Sequence, residues 1–120
     1  MHILLERALA SETSYLKILK GLVDLESPTH NKKAADSLAD HLEDLLKSHG
    51  WLVQRHPKKL VGDQLIAKQS SIGDVSTLLL AHYDTVWPLG TLKEMPFRKQ
   101  GNRIFGPGTS DMKAGIASCI

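Results

Sequence analysis

The chain has 120 residues, of which 42% are hydrophobic and 23% charged, ordinary values for a folded chain of one domain at most. This composition excludes a disordered or collagen-like chain, and no apolar run approaches the roughly 20 residues of a membrane-spanning helix. The net charge of +2 gives no case for a nucleic-acid or anionic-lipid partner. Cys119 is the only cysteine, so no intramolecular disulfide can form, which fits the reducing cytoplasm as the expected location.

The first part of the chain is predicted to be helical. Charged Glu6 cuts short the apolar N-terminal run, which indicates an ordinary first helix rather than a secretory signal. Apolar residues then recur at helical spacing over residues 12–25 and again over 32–49. Asn31 is the expected N-cap of the later helix, and Gly50 is its expected stop.

Strands are predicted in the second half of the chain. Short apolar runs over residues 51–53 and 65–67 are typical of strands. The run over residues 77–81 is apolar without alternation, which suits a strand buried on both faces of a parallel sheet. Residues 97–105 are predicted to form a hairpin, and a further helix is expected to begin at Lys113. This order of helices and strands predicts an α/β sandwich.

His82 and Asp84 directly follow the predicted buried strand. Sites of α/β folds lie beyond the carboxyl ends of the strands, and a neutral imidazole is a common metal ligand. A carboxylate two residues later lies on the same side of an extended chain. Asp84 can therefore accept the other ring N–H of His82 and define its tautomer. The same residues could equally form a satisfied polar pair at a strand end, so this short motif leaves both interpretations open.

The second polar segment is Gly-Pro-Gly-Thr-Ser-Asp-Met-Lys at residues 106–113. Its glycines allow a tight turn and a close approach to a ligand, with Asp111 at the junction between loop and helix. Ser110 or Asp111 could instead be the N-cap of that helix. A dinucleotide-binding loop is rejected, because Asp111 replaces the third glycine of that fingerprint and would repel a phosphate. His82 and Asp111 are residue types found in zinc sites, but their spacing does not show that they converge.

The two segments together closely resemble the N-terminal signatures of a zinc hydrolase family. The first signature is His-Tyr-Asp-Thr-Val at residues 82–86, and the second is the glycine-containing segment at residues 106–113. This family contains glutamate carboxypeptidase-like exopeptidases, aminoacylases, acetylornithine deacetylases and succinyl-diaminopimelate desuccinylases. Trp-Pro-Leu-Gly at residues 87–90 and Met-Pro-Phe-Arg at residues 95–98 are most similar to the glutamate carboxypeptidase branch.

The resemblance implies a role for each matched residue. His82 would be a terminal ligand of one Zn²⁺, and Asp111 would bridge two Zn²⁺ ions, with Co²⁺ or Mn²⁺ as possible substitutes. Asp84 would orient His82, and the peptide bond between Asp111 and Met112 is expected to be cis. Ala114 departs from the family pattern, in which many members carry glycine; a methyl group there costs little unless the backbone needs a positive φ.

The resemblance also implies a larger fold than this chain can form. Residues 1–120 would be the incomplete N-terminal portion of a catalytic domain. That domain would be a three-layer α/β/α sandwich with a mainly parallel sheet and helices on both faces. A glutamate pair with the general base, a later acidic ligand, a late histidine and an inserted dimerisation domain would all follow this chain.

The function implied is that of a zinc-dependent metallopeptidase or amidohydrolase. It would use a metal-activated water to cleave peptide or N-acyl amino acid amide bonds, and full-length relatives would be homodimers. A catalytic zinc usually has three protein ligands, so a chain with only His82 and Asp111 is expected to hydrolyse nothing alone. Two alternatives stay open. One is a truncated, non-catalytic relative that binds metal weakly or meets a partner chain, and the other is a metal-free α/β binding module.

Overall fold

The computed structural model describes residues 2–69 and 77–120 and contains both helices and strands, as expected for an α/β chain. No helix in these two ranges is long and apolar enough to cross a membrane. The elements in chain order are α1 (His2–Ala10), α2 (Glu12–Asp24), α3 (Lys32–Ser48), β1 (Trp51–His56), β2 (Gln64–Gln69), α4 (Thr91–Glu94), β3 (Arg98–Gln100), β4 (Arg103–Phe105) and α5 (Ala114–Cys119).

The core lies between α2, α3 and α5. Leu19, Leu22 and Val23 of α2 are fully buried, at the spacing that places them on one face of a helix. They share one apolar cluster with Leu38 of α3 and Ala117 of α5. The predicted helices at residues 12–25 and 32–49 are therefore confirmed, and so is the further helix predicted near Lys113.

The ends of α3 follow the capping residues predicted from the sequence. The Asn31 side chain accepts a hydrogen bond from the backbone N–H of Ala34 at 3.0 Å, which satisfies a free donor of the first turn. At the other end, Gly50 has φ +83° and its N–H donates to the carbonyl of Lys47. Glycine ends the helix because its backbone enters this left-handed region without a steric penalty.

Two antiparallel pairs of strands make up the sheet structure of the described residues. β1 pairs with β2 from Trp51↔Gln69 to His56↔Gln64, and β3 pairs with β4 in the hairpin predicted at residues 97–105. A parallel bridge joins Pro28 to Thr85. The mainly parallel sheet of the predicted sandwich is not found in the part of the chain that the structure describes.

The predicted buried strand over residues 77–81 is wrong for this structure. This segment lies in no helix or strand, and Leu78 and Leu80 are 88% and 89% exposed. An apolar run is buried on both faces only if other strands pair with its backbone and helices cover it. No strand within the described ranges pairs with it. A cleft of about 550 Å³ lies instead between Leu80 and the apolar side chains Leu42 and Leu65.

Candidate metal centre

The segment with His82 and Asp84 is held by the loop between α2 and α3. The backbone N–H of Thr85 donates to the Ser27 carbonyl at 2.8 Å, and the N–H of Thr29 donates to the Thr85 carbonyl at 3.0 Å. The hydroxyl of buried Ser27 donates to the Tyr83 carbonyl at 2.8 Å. These contacts fix the backbone on both sides of Asp84, although the preceding leucines are exposed.

Tyr83 connects the same segment to the turn before β2. Its hydroxyl donates to the backbone carbonyl of Asp63, and burial, with nearby carboxylates, raises the pKa of this tyrosine to about 12. The Asp63 carboxylate in turn accepts hydrogen bonds from Lys32 at 2.6 Å and from Arg55 at 2.8 Å. The segment is thus tied to α3 and β1 as well as to the α2–α3 loop.

The imidazole of His82 lies between two carboxylates. Its Nε2 is 2.9 Å from Oδ1 of Asp111, and its Nδ1 is 3.3 Å from Oδ1 of Asp84. Partial burial would lower the pKa of His82, but the hydrogen bond with Asp111, a contact with the Asp84 carbonyl and both negative charges raise it. The side chains of His82 and Asp111 are 47% and 86% exposed, so an ion in solution can reach them.

Asp111 is presented by an irregular turn over Thr109–Lys113. Its backbone is not helical, with φ −128° and ψ 94°, and the Asp111–Met112 peptide bond is cis as the resemblance implies. No side chain caps α5, so the interpretation of Asp111 as a helix cap is wrong, and its carboxylate faces His82 instead. Ala114 has φ −64°, a helical value at which its methyl group causes no strain.

Gly108 lets this turn pack against the segment with His82. It has φ +72°, and a Cβ atom built on it would lie 2.5 Å from Cγ2 of Thr85. A contact that short is impossible without a shift of the buried Thr85 or of the loop. Glycine is therefore required at this position for two reasons. Its φ is positive, and Thr85 leaves no room for a side chain.

Lys113 is a residue at this site that sequence reasoning missed. It is 1% exposed, and its Nζ donates to the carbonyl of Leu25 at 2.8 Å, which joins the Asp111 turn to the end of α2. Burial lowers the pKa of Lys113 to about 8, and the charge of Glu26 opposes part of that shift. The Glu26 carboxylate accepts the backbone N–H groups of Gly90 and Leu92, so it anchors the loop after the His82 segment. A lysine at the start of an apolar helix was the only sequence signal for this burial.

The pair formed by His82 and Asp111 fits part of a zinc site. Imidazole nitrogen and carboxylate oxygen are both zinc ligands, and two such atoms on one tetrahedral ion lie about 3.3 Å apart. Nε2 and Oδ1 are 2.9 Å apart, so a small separation of the two side chains would admit an ion. Within the described residues, no group of three or more His, Cys, Asp or Glu side chains is placed to hold a metal. The described residues thus bring together one imidazole and one carboxylate of suitable type, and not a complete donor set.

Comparisons with known proteins match the part of the chain that contains both motifs. Residues 78–120 match the model of a protein family that is described as Peptidase family M20/M25/M40. Carboxypeptidase G2 of Pseudomonas sp. (strain RS-16) is 33% identical over 118 residues, which is 97% of this chain and 28% of that protein. Succinyl-diaminopimelate desuccinylase of Rickettsia prowazekii (strain Madrid E) is 29% identical over 115 residues, 86% of this chain and 28% of that protein.

These comparisons confirm the resemblance that the two motifs carry. The chain is similar to hydrolases of the M20 peptidase family, and the matched region includes His82, Asp84 and Asp111. Within that class, its similarity to Carboxypeptidase G2 extends over nearly the whole chain. The chain spans only about a quarter of the length of the curated relatives it matches.

Proposed function

We propose that this chain is the N-terminal part of the catalytic domain of a zinc-dependent hydrolase of peptide or N-acyl amino acid amide bonds. The observation that carries the proposal is the convergence of His82 and Asp111, 29 positions apart, to a distance of 2.9 Å between Nε2 and Oδ1. The match to the M20 family over both motifs supports it. The proposed substrates are small peptides or N-acyl amino acids, and the proposed whole protein is a cytoplasmic homodimer.

Each residue of the site has a defined task in this proposal. His82 would ligate one Zn²⁺ through Nε2, and the exposed Asp111 carboxylate would bridge two such ions, with Co²⁺ or Mn²⁺ as substitutes. Asp84 would hold the proton on Nδ1 of His82, which leaves the lone pair of Nε2 free to ligate. Bound zinc supplies polarisation of the amide carbonyl and a water of lowered pKa.

The larger fold is also part of the proposal. In a three-layer α/β/α sandwich with a mainly parallel sheet, the apolar residues 77–81 become a buried central strand once further strands and helices cover them. Leu78 and Leu80 are exposed beside an apolar cleft in this structure, and such a sheet would cover both. The general base and the remaining ligands would be contributed from outside this chain.

The second candidate is a non-catalytic relative that binds metal weakly or pairs with a partner chain through its apolar residues. Two observations favour it: the described residues contain no group of three potential metal ligands, and Leu78 and Leu80 are exposed. The coding sequence after the codon for Ile120 discriminates between the candidates. A glutamate pair, a further acid and a late histidine in frame support the hydrolase, whereas an immediate stop codon supports the non-catalytic relative.

A zinc titration tests the site itself. We expect His82→Ala and Asp111→Asn to abolish the Zn²⁺ uptake of this site, because each removes one of the two proposed ligands. His56→Ala is the matched control, since His56 is an exposed histidine at the end of β1, and it should bind like the unmodified chain. Equal Zn²⁺ affinity of the unmodified chain and His82→Ala would contradict the proposal and favour a metal-free binding module.

A hydrolysis assay tests the prediction for the chain alone. With two of the usual three or more ligands, the 120-residue chain should not cleave N-acyl amino acids or dipeptides in the presence of Zn²⁺. The reference is the rate in metal-containing buffer without protein. A protein-dependent rate that disappears in His82→Ala would show that this chain is sufficient for catalysis.

A further inference from the structure

From the geometry we infer that Thr29 is a positioning residue for the candidate metal centre. Its hydroxyl holds the Asp84 carboxylate in the orientation in which that carboxylate faces Nδ1 of His82. Thr29 lies in the loop between α2 and α3, 55 positions before Asp84. The inference rests on the proposed function, because the orientation of His82 matters most if its Nε2 ligates a metal.

The hydrogen bond from Thr29 to Asp84 is short and directed at one carboxylate oxygen. Oγ1 of Thr29 lies 2.6 Å from Oδ2 of Asp84, a length typical of a hydroxyl that donates to a charged carboxylate. The same Oγ1 lies 3.3 Å from the carbonyl oxygen of Thr85. Since a hydroxyl has a single proton, the shorter contact with the charged acceptor takes it.

This bond determines where the other oxygen of Asp84 points. Oδ1 of Asp84 is 3.3 Å from Nδ1 of His82, so the two carboxylate oxygens have different partners on opposite sides. The Asp84 side chain is 36% exposed, and without Thr29 water would compete for its oxygens. The torsion about the Cβ–Cγ bond of an aspartate is broad when few contacts restrain it. With Thr29 at Oδ2 and His82 at Oδ1, contacts at both oxygens restrain this torsion more than the longer contact with His82 does alone.

The consequence for His82 concerns which ring nitrogen carries the proton. Neutral imidazole has one N–H. Nε2 faces the Asp111 carboxylate, whereas Nδ1 has two acceptors beside it, the backbone carbonyl of Asp84 at 3.1 Å and the Asp84 carboxylate at 3.3 Å. With Asp84 oriented, the proton has an acceptor at Nδ1, and Nε2 keeps its lone pair. If the carboxylate turns away, Nδ1 keeps only the neutral backbone carbonyl of Asp84 as acceptor, and the proton is drawn toward Nε2, where the charged Asp111 carboxylate accepts it at 2.9 Å. That tautomer cannot ligate a metal through Nε2.

The position of Thr29 does not depend on its own hydroxyl. Its backbone N–H donates to the Thr85 carbonyl at 3.0 Å, next to the parallel bridge between Pro28 and Thr85. Thr29→Val keeps this backbone bond and the branched shape of the side chain and removes only the hydroxyl. Thr29→Ser keeps the hydroxyl and removes a methyl group. The two variants thus separate the hydrogen bond from the packing.

The test is the tautomer of His82, measured by ¹⁵N NMR on the metal-free chain at one pH at which the imidazole is neutral. We expect Thr29→Val to raise the Nε2–H population of His82 toward that of Asp84→Asn, and Thr29→Ser to keep the original population. In a parallel Zn²⁺ titration, Thr29→Val should weaken binding by about tenfold, and Thr29→Ser by no more than about twofold.

Each outcome decides the inference. Unchanged tautomer populations in Thr29→Val would overturn it, whether or not Asp84→Asn shifts them. Methyl shifts of the buried Leu19 and Leu22 report on the fold, and Thr29→Ala provides a second hydroxyl-free variant if Thr29→Val perturbs them. Failure of the proposed function looks different, because the unmodified chain would then bind Zn²⁺ no better than His82→Ala. The metal-free tautomer would still decide the role of Thr29.

Discussion

At the scale of single residues, charged side chains in this chain are stabilised by partners from distant parts of the sequence. The Asp63 carboxylate accepts hydrogen bonds from Lys32, Arg55 and the backbone N–H of Lys58. These donors hold the pKa of Asp63 well below its usual range. Because Asp63 also binds Tyr83 through its carbonyl, this cluster supports the segment with His82.

The lowered pKa of Asp63 predicts a specific loss of stability in acid. The unfolded chain takes up this proton near pH 4, the folded chain only at lower pH, so stability should fall as the pH drops below about 4. Asp63→Asn should be less stable at neutral pH and show a shallower loss below that pH. Urea unfolding over a pH series measures both effects. Asp44→Asn, at an exposed position of α3, is the matched control and should follow the unmodified chain.

At the scale of elements, the candidate site forms where three segments meet that are not neighbours in sequence. The α2–α3 loop contributes Ser27 and Thr29, the next segment contributes His82 and Asp84, and the turn over Thr109–Lys113 contributes Asp111. Gly108 packs directly against Thr85, because its missing side chain leaves room for that residue. The motif around Asp111 therefore serves two purposes. Gly108 allows the turn to pack against Thr85, and Asp111 places its carboxylate beside His82.

Substitution of Gly108 should lower the free energy of unfolding by more than the strain of its positive φ alone would. Gly50 has φ +83° with no atom within 4 Å of an added Cβ, whereas Gly108 has φ +72° and a contact at 2.5 Å. We expect Gly50→Ala to lower the free energy of unfolding by about 1 kcal/mol and Gly108→Ala by about 3 kcal/mol, from backbone strain plus overpacking. Urea denaturation measures both values. Equal losses would mean that the loop moves away from Thr85 at no cost.

At the scale of the whole molecule, the described residues combine a well-packed helical core with an exposed apolar segment. Leu19, Leu22 and Leu38 are completely buried, while Leu78 and Leu80 are almost fully exposed beside an apolar cleft. Exposed apolar segments of this kind favour association between chains. The same surface is the one that a larger sandwich would cover in the proposed function.

The exposed leucines predict concentration-dependent association of this chain. The double variant Leu78→Ser with Leu80→Ser should associate less, with an unchanged midpoint of thermal unfolding, because neither side chain is packed in the core. Leu60→Ser is the matched control, since Leu60 is 84% exposed but lies in the loop between β1 and β2. Sedimentation velocity over a range of concentrations measures the effect. If Leu60→Ser lowers association as much as the double variant does, Leu78 and Leu80 have no specific role in association.

The sequence by itself determined the features that depend on local interactions and on residue chemistry. Helical periodicity and the capping residues Asn31 and Gly50 predicted α2 and α3, because these signals act within one or two turns. The hairpin at residues 97–105 followed from its turn in the same way. The motifs around His82 and Asp111 also indicated the family resemblance, and the family match over residues 78–120 confirms it.

Only the tertiary structure decided which distant residues meet. The burial of residues 77–81 was predicted incorrectly, because it depends on strands and helices beside them and not on their own apolar character. The contact between His82 and Asp111 and the packing of Gly108 against Thr85 both join remote segments, which no spacing reveals. Thr29 and Lys113 act through side chains that reach remote segments, so no local pattern could assign their partners.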